Sequence, residues 1–280
     1  MKIALVSDTT ATLDQAVIEK YAIHTVPLTI TIDGKSYREQ EDLTNKEFYQ
    51  LLKESDALPT SSQPSPGEWL SLYERLAKTH DAIIVLTLSE KISGTYQTAH
   101  AMAQEVKDVD IHVIDSNYSS RPQAYLVEEA GRMIAQDQPI TAILAKIEQM
   151  IDAMDAYIIV DDLNHLARGG RMSSATALVG SMLKIKPVIR FVDKSLVMFE
   201  KIRTQKKAIA RVEELFAEVY KNDKQLRATV LHSDVETKAE AIYNEMIVKY
   251  PEVEWDVSEF GPVLGTHLGP GALAIVWTIK

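Results

Sequence analysis

The chain of 280 residues contains no cysteine. That absence removes disulfides, thiolate metal sites, iron–sulfur clusters and a thiol nucleophile together. No apolar run approaches the roughly 18 residues of a membrane-spanning helix. The opening apolar stretch, Ile3-Ala4-Leu5-Val6, ends two residues before Asp8 and reads as a buried first strand, too short for a signal sequence. Cations are the minority: 30 Lys and Arg against 40 Asp and Glu give a net charge of −10. Such a chain does not attract nucleic acid or anionic bilayer surfaces as a whole, though a local basic patch can still hold an anion. A dinucleotide G-x-G-x-x-G after the first strand, a phosphate-binding G-x-x-x-x-G-K-[ST], a G-x-S-x-G elbow and H-E-x-x-H are all missing. Asp8-Thr9-Thr10 follows the first strand as in some phosphatases, but the second aspartate of such sites is lacking. The expectation is a cytoplasmic protein without metal, nucleic-acid partner or stable membrane insertion.

What is present is a globular composition, 46% hydrophobic and 25% charged, on a length that suits one large domain or two ordinary ones. Strands are predicted over 2–7, 24–32, 82–88 and 111–114, with helices over 13–21, 45–52, from 66 onward and over 94–106. Thr44-Asn45-Lys46-Glu47 and Ser65-Pro66-Gly67-Glu68 have the form of capping boxes, in which hydroxyl and carboxylate satisfy each other's loose amides. This β-α alternation predicts an α/β half with a mostly parallel sheet flanked by helices. Two helices follow, over 123–136 and 140–154. Beyond them, strands over 157–160, 187–192, 196–202, 228–232, 254–258 and 272–279 outnumber long helices, and Lys194 marks a tight hairpin turn. The division expected is an α/β domain over 1–155 and an α+β domain over 156–280, with a ligand site between and within them.

Five stretches carry possible chemistry. The first, Leu58-Pro59-Thr60-Ser61-Ser62-Gln63-Pro64-Ser65, reads either as an anion cradle ahead of a helix or as a polar loop ending in an ordinary cap. The second, Leu88 to Tyr96, lies just past a buried strand, where open α/β sheets place ligands; Ser93 and Thr95 are alternative caps, and Gly94 permits close approach of backbone. Third is Arg168-Gly169-Gly170-Arg171-Met172-Ser173, a phosphate loop or a turn with solvated flanks. In the fourth, Lys201, Arg203, Lys206 and Lys207 crowd a helix start whose dipole prefers anions, which reads as a solvated face or as a docking surface for an anionic partner. The fifth, Gly265-Thr266-His267-Leu268-Gly269-Pro270-Gly271, is expected to be an irregular loop before the last strand, its histidine a site donor or an ordinary loop residue. Arg38-Glu39-Gln40-Glu41-Asp42 reads as a solvated loop rather than a cation site. Hydroxyls without a neighbouring base favour binding over catalysis.

The ordered set I-A-L-V-S-D-T-T-A-T, V-P-L, E-F-Y, P-T-S-S-Q-P-S, S-G-T-Y-Q-T-A, V-I-D-S, G-G-R, I-K-P, K-I-R-T and G-T-H-L-G-P-G-A-L, running from Ile3 across nearly the whole chain, resembles the DegV family. The resemblance implies an α/β domain followed by an α+β domain and a bound long-chain fatty acid. It further implies a non-enzymatic role as the lipid-binding subunit of a bacterial fatty acid kinase, presenting the carboxylate to an ATP-binding partner that makes an acyl phosphate. No other cofactor is implied. The family's carboxylate-contacting positions fall on Ser61, Ser62, Ser93, Gly94 and His267, with Thr60, Thr95 and Thr266 beside them, and Arg203 matches an arginine implicated in docking the kinase. Ser119-Ser120-Arg121-Pro122-Gln123-Ala124 departs from the family's small, glycine-rich pattern. Rival readings are a lipid sensor or store without a kinase, and an enzyme acting on a small acid or phosphate ester in the same cleft.

Overall fold

The computed structural model describes residues 1–55, 57–161, 163–172 and 185–280. Four parallel strands form the first sheet, in the order β2 (His24–Val26), β1 (Ile3–Asp8), β6 (Ala82–Thr87), β7 (Asp110–Asp115). All six residues of β6 are buried because both faces are covered. Ile83 and Val85 pack on α3 (Pro66–Ala77) and α4 (Thr95–Ala103), whereas Ile84 and Leu86 face α5 (Ser120–Ala135) and α6 (Ile140–Asp152). Both capping boxes form, at the start of α2 (Asn45–Glu54) and of α3.

A six-stranded, mostly antiparallel sheet follows: β10 (Ser195–Ile202), β9 (Lys186–Val192), β8 (Asp155–Ile159), β13 (Leu273–Ile279), β11 (Leu226–His232), β12 (Glu254–Glu259). Alternation along its central strands divides the faces. Tyr157, Ile159, Val230, Ile275 and Trp277 pack with Val212 and Phe216 of α8 (Gln205–Asn222) and Ile242 and Met246 of α9 (Glu236–Lys249). Ala156, Ile158, Ala274 and Val276 look the other way and share one core with Leu5, Ile84, Leu86 and helix α5. The chain is therefore α/β, a parallel layer with helices joined to a further sheet that carries its own helices. Lys194 sits at the tip of the β9–β10 hairpin, as expected, and reaches the first half: its ammonium lies 2.8 Å from Glu90 and 3.1 Å from Asp115. No helix among the described residues is long and apolar enough to cross a membrane.

Three local expectations are corrected. The strand predicted over 24–32 breaks at Pro27: β2 joins the parallel sheet, while β3 (Thr29–Ile32) belongs to a small antiparallel sheet with β4 (Lys35–Arg38) and β5 (Thr60–Ser62). The hydroxyl-rich loop is thus partly an edge strand, with Ser61 opposite Ile30; a three-residue strand among the four residues between Pro59 and Pro64 carries no period to read. The expected loop around His267 belongs largely to α10 (Pro262–Leu268), which begins with proline at its first position. Gly265 sits inside that helix for packing, since a Cβ there would stand 2.6 Å from Phe48 and 2.9 Å from the Tyr49 hydroxyl.

Arg121 points into an ion-pair network rather than disrupting its surroundings. Its guanidinium, 7% exposed, meets Glu128 at 2.7 Å and Asp256 at 3.0 Å, while Arg227 reaches Glu128 at 2.5 Å. Both arginines lie over the Tyr125 ring, whose hydroxyl bonds Thr229, itself bonded to Asp256. Removing Arg121 takes one of two cations from the partly buried Glu128, which keeps Arg227, and leaves the half-exposed Asp256 with Thr229 alone. Arg121→Ala is expected to lower the unfolding free energy in urea by about 2 kcal/mol; a loss below about 0.5 kcal/mol, the size of an ordinary surface change, would show that the network does not hold α5 in place.

Candidate functional site

The strand order of the parallel sheet reverses between β1 and β6, and the loops beyond their carboxyl ends open onto the inner face of the six-stranded sheet. A mainly apolar cavity lies there, with about 730 Å³ of empty space when the open solvent at its mouth is counted. Ile158, Phe191, Leu196, Leu231, Ala274 and Val276 of the large sheet supply one wall. Leu88, Ile92 and Ser93 come from the loop after β6, Ser119, Ser120 and Pro122 from the start of α5, and Leu28, Ser61 and Gln63 from the small-sheet region. Val263, Leu264, His267 and Leu268 of α10 close it, with Leu166 of α7 (Asn164–Gly169) and Arg171.

Polar groups gather at one end. The Ser61 hydroxyl and His267 Nε2 share a hydrogen bond of 2.7 Å across 206 residues of chain. Burial, with the nearby Arg171 and His165, pushes the His267 pKa down to about 3, so its ring is neutral at physiological pH. A neutral imidazole and a hydroxyl joined by one hydrogen bond have one donor hydrogen to spare, on Ser61 or on Nδ1, which is buried and has no partner. Ser93 Oγ pairs with Thr95 Oγ1 at 2.9 Å and accepts from the Thr95 amide. Arg171 donates from Nε to Ile92 O and from Nη1 to Gly169 O. Ser61, Arg171 and His267 also line an outer depression with Thr60, His165, Arg168, Gly169 and Thr266, so these three residues stand between the cavity and the surface.

Of the residues singled out in the sequence, Ser61, Ser93 and His267 thus meet on one cavity. Ser62 is exposed on β5 and Gly94 precedes α4; neither lines the cavity wall. Gly94 instead makes room for Gln63, whose amide oxygen a Cβ would overlap and whose nitrogen donates to Thr98. Thr95 and Thr266 are buried; Thr266 donates to Pro262 O, and Thr60 reaches only the outer depression. Arg203 is exposed just ahead of α8, beside Lys206 and Lys207. Gly170 ends α7 in the left-handed conformation, so the Gly-Gly pair terminates a helix; Ser173 of that motif lies outside the described residues. Asp8 is enclosed and accepts from Thr10 N, Thr10 Oγ1, Leu88 N and Gln123 Nε2, an arrangement that fixes three segments and leaves no exposed nucleophile. Sequence reasoning missed Gln63 and Arg171 as wall residues, although both lie in stretches flagged by composition. It misjudged Glu39, which is wholly buried in what reads as a solvated acidic loop.

A family model described as uncharacterised proteins of the DegV family matches residues 2–280. A DegV domain-containing protein of Listeria innocua is 44% identical over 280 residues, covering all of this chain and 99% of its own. The crystal structure of DegV from Bacillus subtilis, a fatty acid binding protein, superposes with a TM-score of 0.94 at 43% identity over all of both chains. A fatty acid binding DegV family protein from Streptococcus agalactiae gives 0.93 at 35% identity, over all of this chain and 99% of the other.

Glu39 clamps α10 to the first half: its Oε2 accepts from Thr9 Oγ1 at 2.6 Å and its Oε1 from Val263 N at 2.9 Å. Burial pushes its pKa up to about 7, against the opposing effect of those two bonds and with some help from the charge of Asp8. The native state therefore holds this proton more tightly than the unfolded chain does. The resulting stability is full below about pH 4.5 and is lost as pH rises through about 7. Urea unfolding of the parent and of Glu39→Gln across pH 4.5–8 should show the difference between them falling by roughly 2–4 kcal/mol against the parent. A flat difference would mean that the carboxyl titrates in its ordinary range.

Proposed function

Because the chain belongs to the DegV family, we propose that it binds one long-chain fatty acid and presents the carboxylate to a separate ATP-dependent kinase for conversion to an acyl phosphate. The observation that carries this reading is the cavity: mainly apolar, with Ser61 and a neutral His267 where it meets the outer depression and Ser93 on the same lining. The fatty acid binding relatives from Bacillus and Streptococcus share the whole fold, which supports it further. On this reading Ser61, Ser93 and His267 contact the carboxylate from the cavity lining, Ser62 and Gly94 complete the set from beside them in the same loops, and Arg203 is on the docking surface. The loops of residues 1–155 then hold much of the head group, and the sheet of 156–280 holds the tail.

Each buried methylene contributes roughly 0.8 kcal/mol, so the tail supplies most of the affinity, less the cost of ordering it. The head group sets orientation. A bidentate arginine clamp would stabilise the carboxylate and blunt it as a nucleophile; here Arg171, the one arginine on the wall among the described residues, is anchored by Nε and one Nη1 hydrogen on backbone carbonyls, which holds the guanidinium in place and leaves Nη2 as its outer donor. Hydroxyls and a neutral imidazole hold the carboxylate and leave it reactive. In the transfer, a carboxylate oxygen forms a bond to the γ-phosphorus of ATP while the bond to the ADP oxygen breaks. Positioning and metal ions dominate that step, and the partner supplies nucleotide and metal.

Mass spectrometry of the purified protein, native and then solvent-extracted, should find a stoichiometric fatty acid. An empty protein that also fails to take up oleate or palmitate overturns the lipid reading. With a reconstituted kinase, Ser93→Ala should reduce acyl-phosphate formation at least tenfold while lipid retention changes less than threefold; Arg203→Glu should weaken kinase coupling alone. Equal losses of retention and turnover in Ser93→Ala would refute the division between tail and head.

A further inference from the structure

The turn that enters α5 holds polar groups that the head-group site does not use. Ser119 and Ser120 both line the cavity, and neither is among the residues it shares with the outer depression. Ser120 is 2% exposed and its hydroxyl has no hydrogen-bond partner. Several nearby hydroxyls are satisfied within the protein: Ser116 donates to Tyr118 O, Thr10 to Asp8, and Ser89 to Lys194 O; Thr87 is also unpartnered but does not line the cavity. An unpaired hydroxyl against an apolar cavity is costly unless a ligand completes it.

The backbone points the same way. Ser120 has φ of +58°, in the left-handed region where glycine is comfortable and serine is not. Strain of this kind is typically retained where a side chain is wanted in place. Ser119, the residue ahead of the sixteen-residue α5, makes no side-chain cap, so its hydroxyl is not spent on the helix start. Arg121 turns away into its ion pairs and Pro122 offers no amide hydrogen. The serines therefore line a cavity whose large-sheet wall, including Ile158, Phe191 and Leu196, is apolar.

We infer that Ser119 and Ser120 form a second polar subsite within the cavity, which takes an oxygen substituent on the acyl chain such as an in-chain hydroxyl group. A chain hydroxyl both donates and accepts and so completes Ser120, whereas a methylene leaves it unpaired. The site then ranks acids by the position of the oxygen as well as by length. This inference rests on the fatty acid reading above.

The test uses the delipidated full chain, with palmitate and a series of monohydroxypalmitates whose hydroxyl is stepped along the chain, titrated into the parent and into Ser120→Ala. Alanine keeps the Cβ, so backbone preference is unchanged and only the hydroxyl is removed. Its thermal midpoint without ligand should equal or exceed that of the parent. In the parent, one or two positional isomers should bind about five- to tenfold tighter than palmitate, the size of one hydrogen bond, and Ser120→Ala should abolish that preference while binding palmitate as well or better. The same ranking in both proteins overturns the inference. So does a loss of palmitate binding as large as that of the hydroxy acids, which would assign Ser120 to the head group. If no acid in the series binds either protein, the fatty acid reading itself fails and this inference with it.

Discussion

Four hydrogen bonds from three separate segments converge on the buried carboxylate of Asp8. It ends β1, takes the Leu88 amide at the exit of β6 and the Gln123 side chain from the first turn of α5, and is held from its own side by Thr10. Each cavity loop of the parallel half leaves from one of these anchors: the loop bearing Ser93 starts at Leu88, and the turn bearing Ser120 precedes Gln123. Burial raises the Asp8 pKa while the hydrogen bonds pull it back. A satisfied polar hub of this kind specifies one arrangement of its neighbours. The cavity walls inherit their geometry from it.

A second buried acid extends the same logic across the seam. Glu39 takes a hydroxyl from Thr9, next to Asp8, and an amide from α10, the helix that carries His267. Gly261 leaves it room, since a Cβ there would lie 2.9 Å from Glu39 Oε1. In an acidic protein these two carboxylates are internal fixtures, while Lys206 and Lys207 are exposed at the start of α8. The formal charge at the head-group end is cationic, from Arg171 and Arg168, and Arg171 is held by the Ile92 and Gly169 carbonyls, so hydroxyl and imidazole donors share the setting of orientation with it.

Period and end signals made the layers legible: the unbroken apolar run of β6, two capping boxes and the alternating strands of the large sheet each follow from local rules. The misses were non-local. Ser61 lies on a three-residue strand defined by its pairing to β3, and Gly265 reads as a loop breaker until Phe48 and Tyr49 are seen packed against it. The flagged motifs contained Ser61, Ser93 and His267, but nothing in their spacing says that one hydrogen bond would join the first and last of them. Glu39 looks solvated because its neighbours are charged, and its burial is a property of the fold alone.

The β9–β10 hairpin turns on Asp193 and Lys194, both at positive φ (47° and 68°), where Asn-Gly would be relaxed. The less comfortable pair keeps an ammonium at the tip, against Glu90 and Asp115, and a backbone carbonyl that accepts from Ser89. The tip therefore works as a latch between a cavity-lining sheet and the loops opposite it. A turn optimised for its own conformation would strengthen the hairpin and release the latch, so local stability and closure of the seam pull this dipeptide in opposite directions.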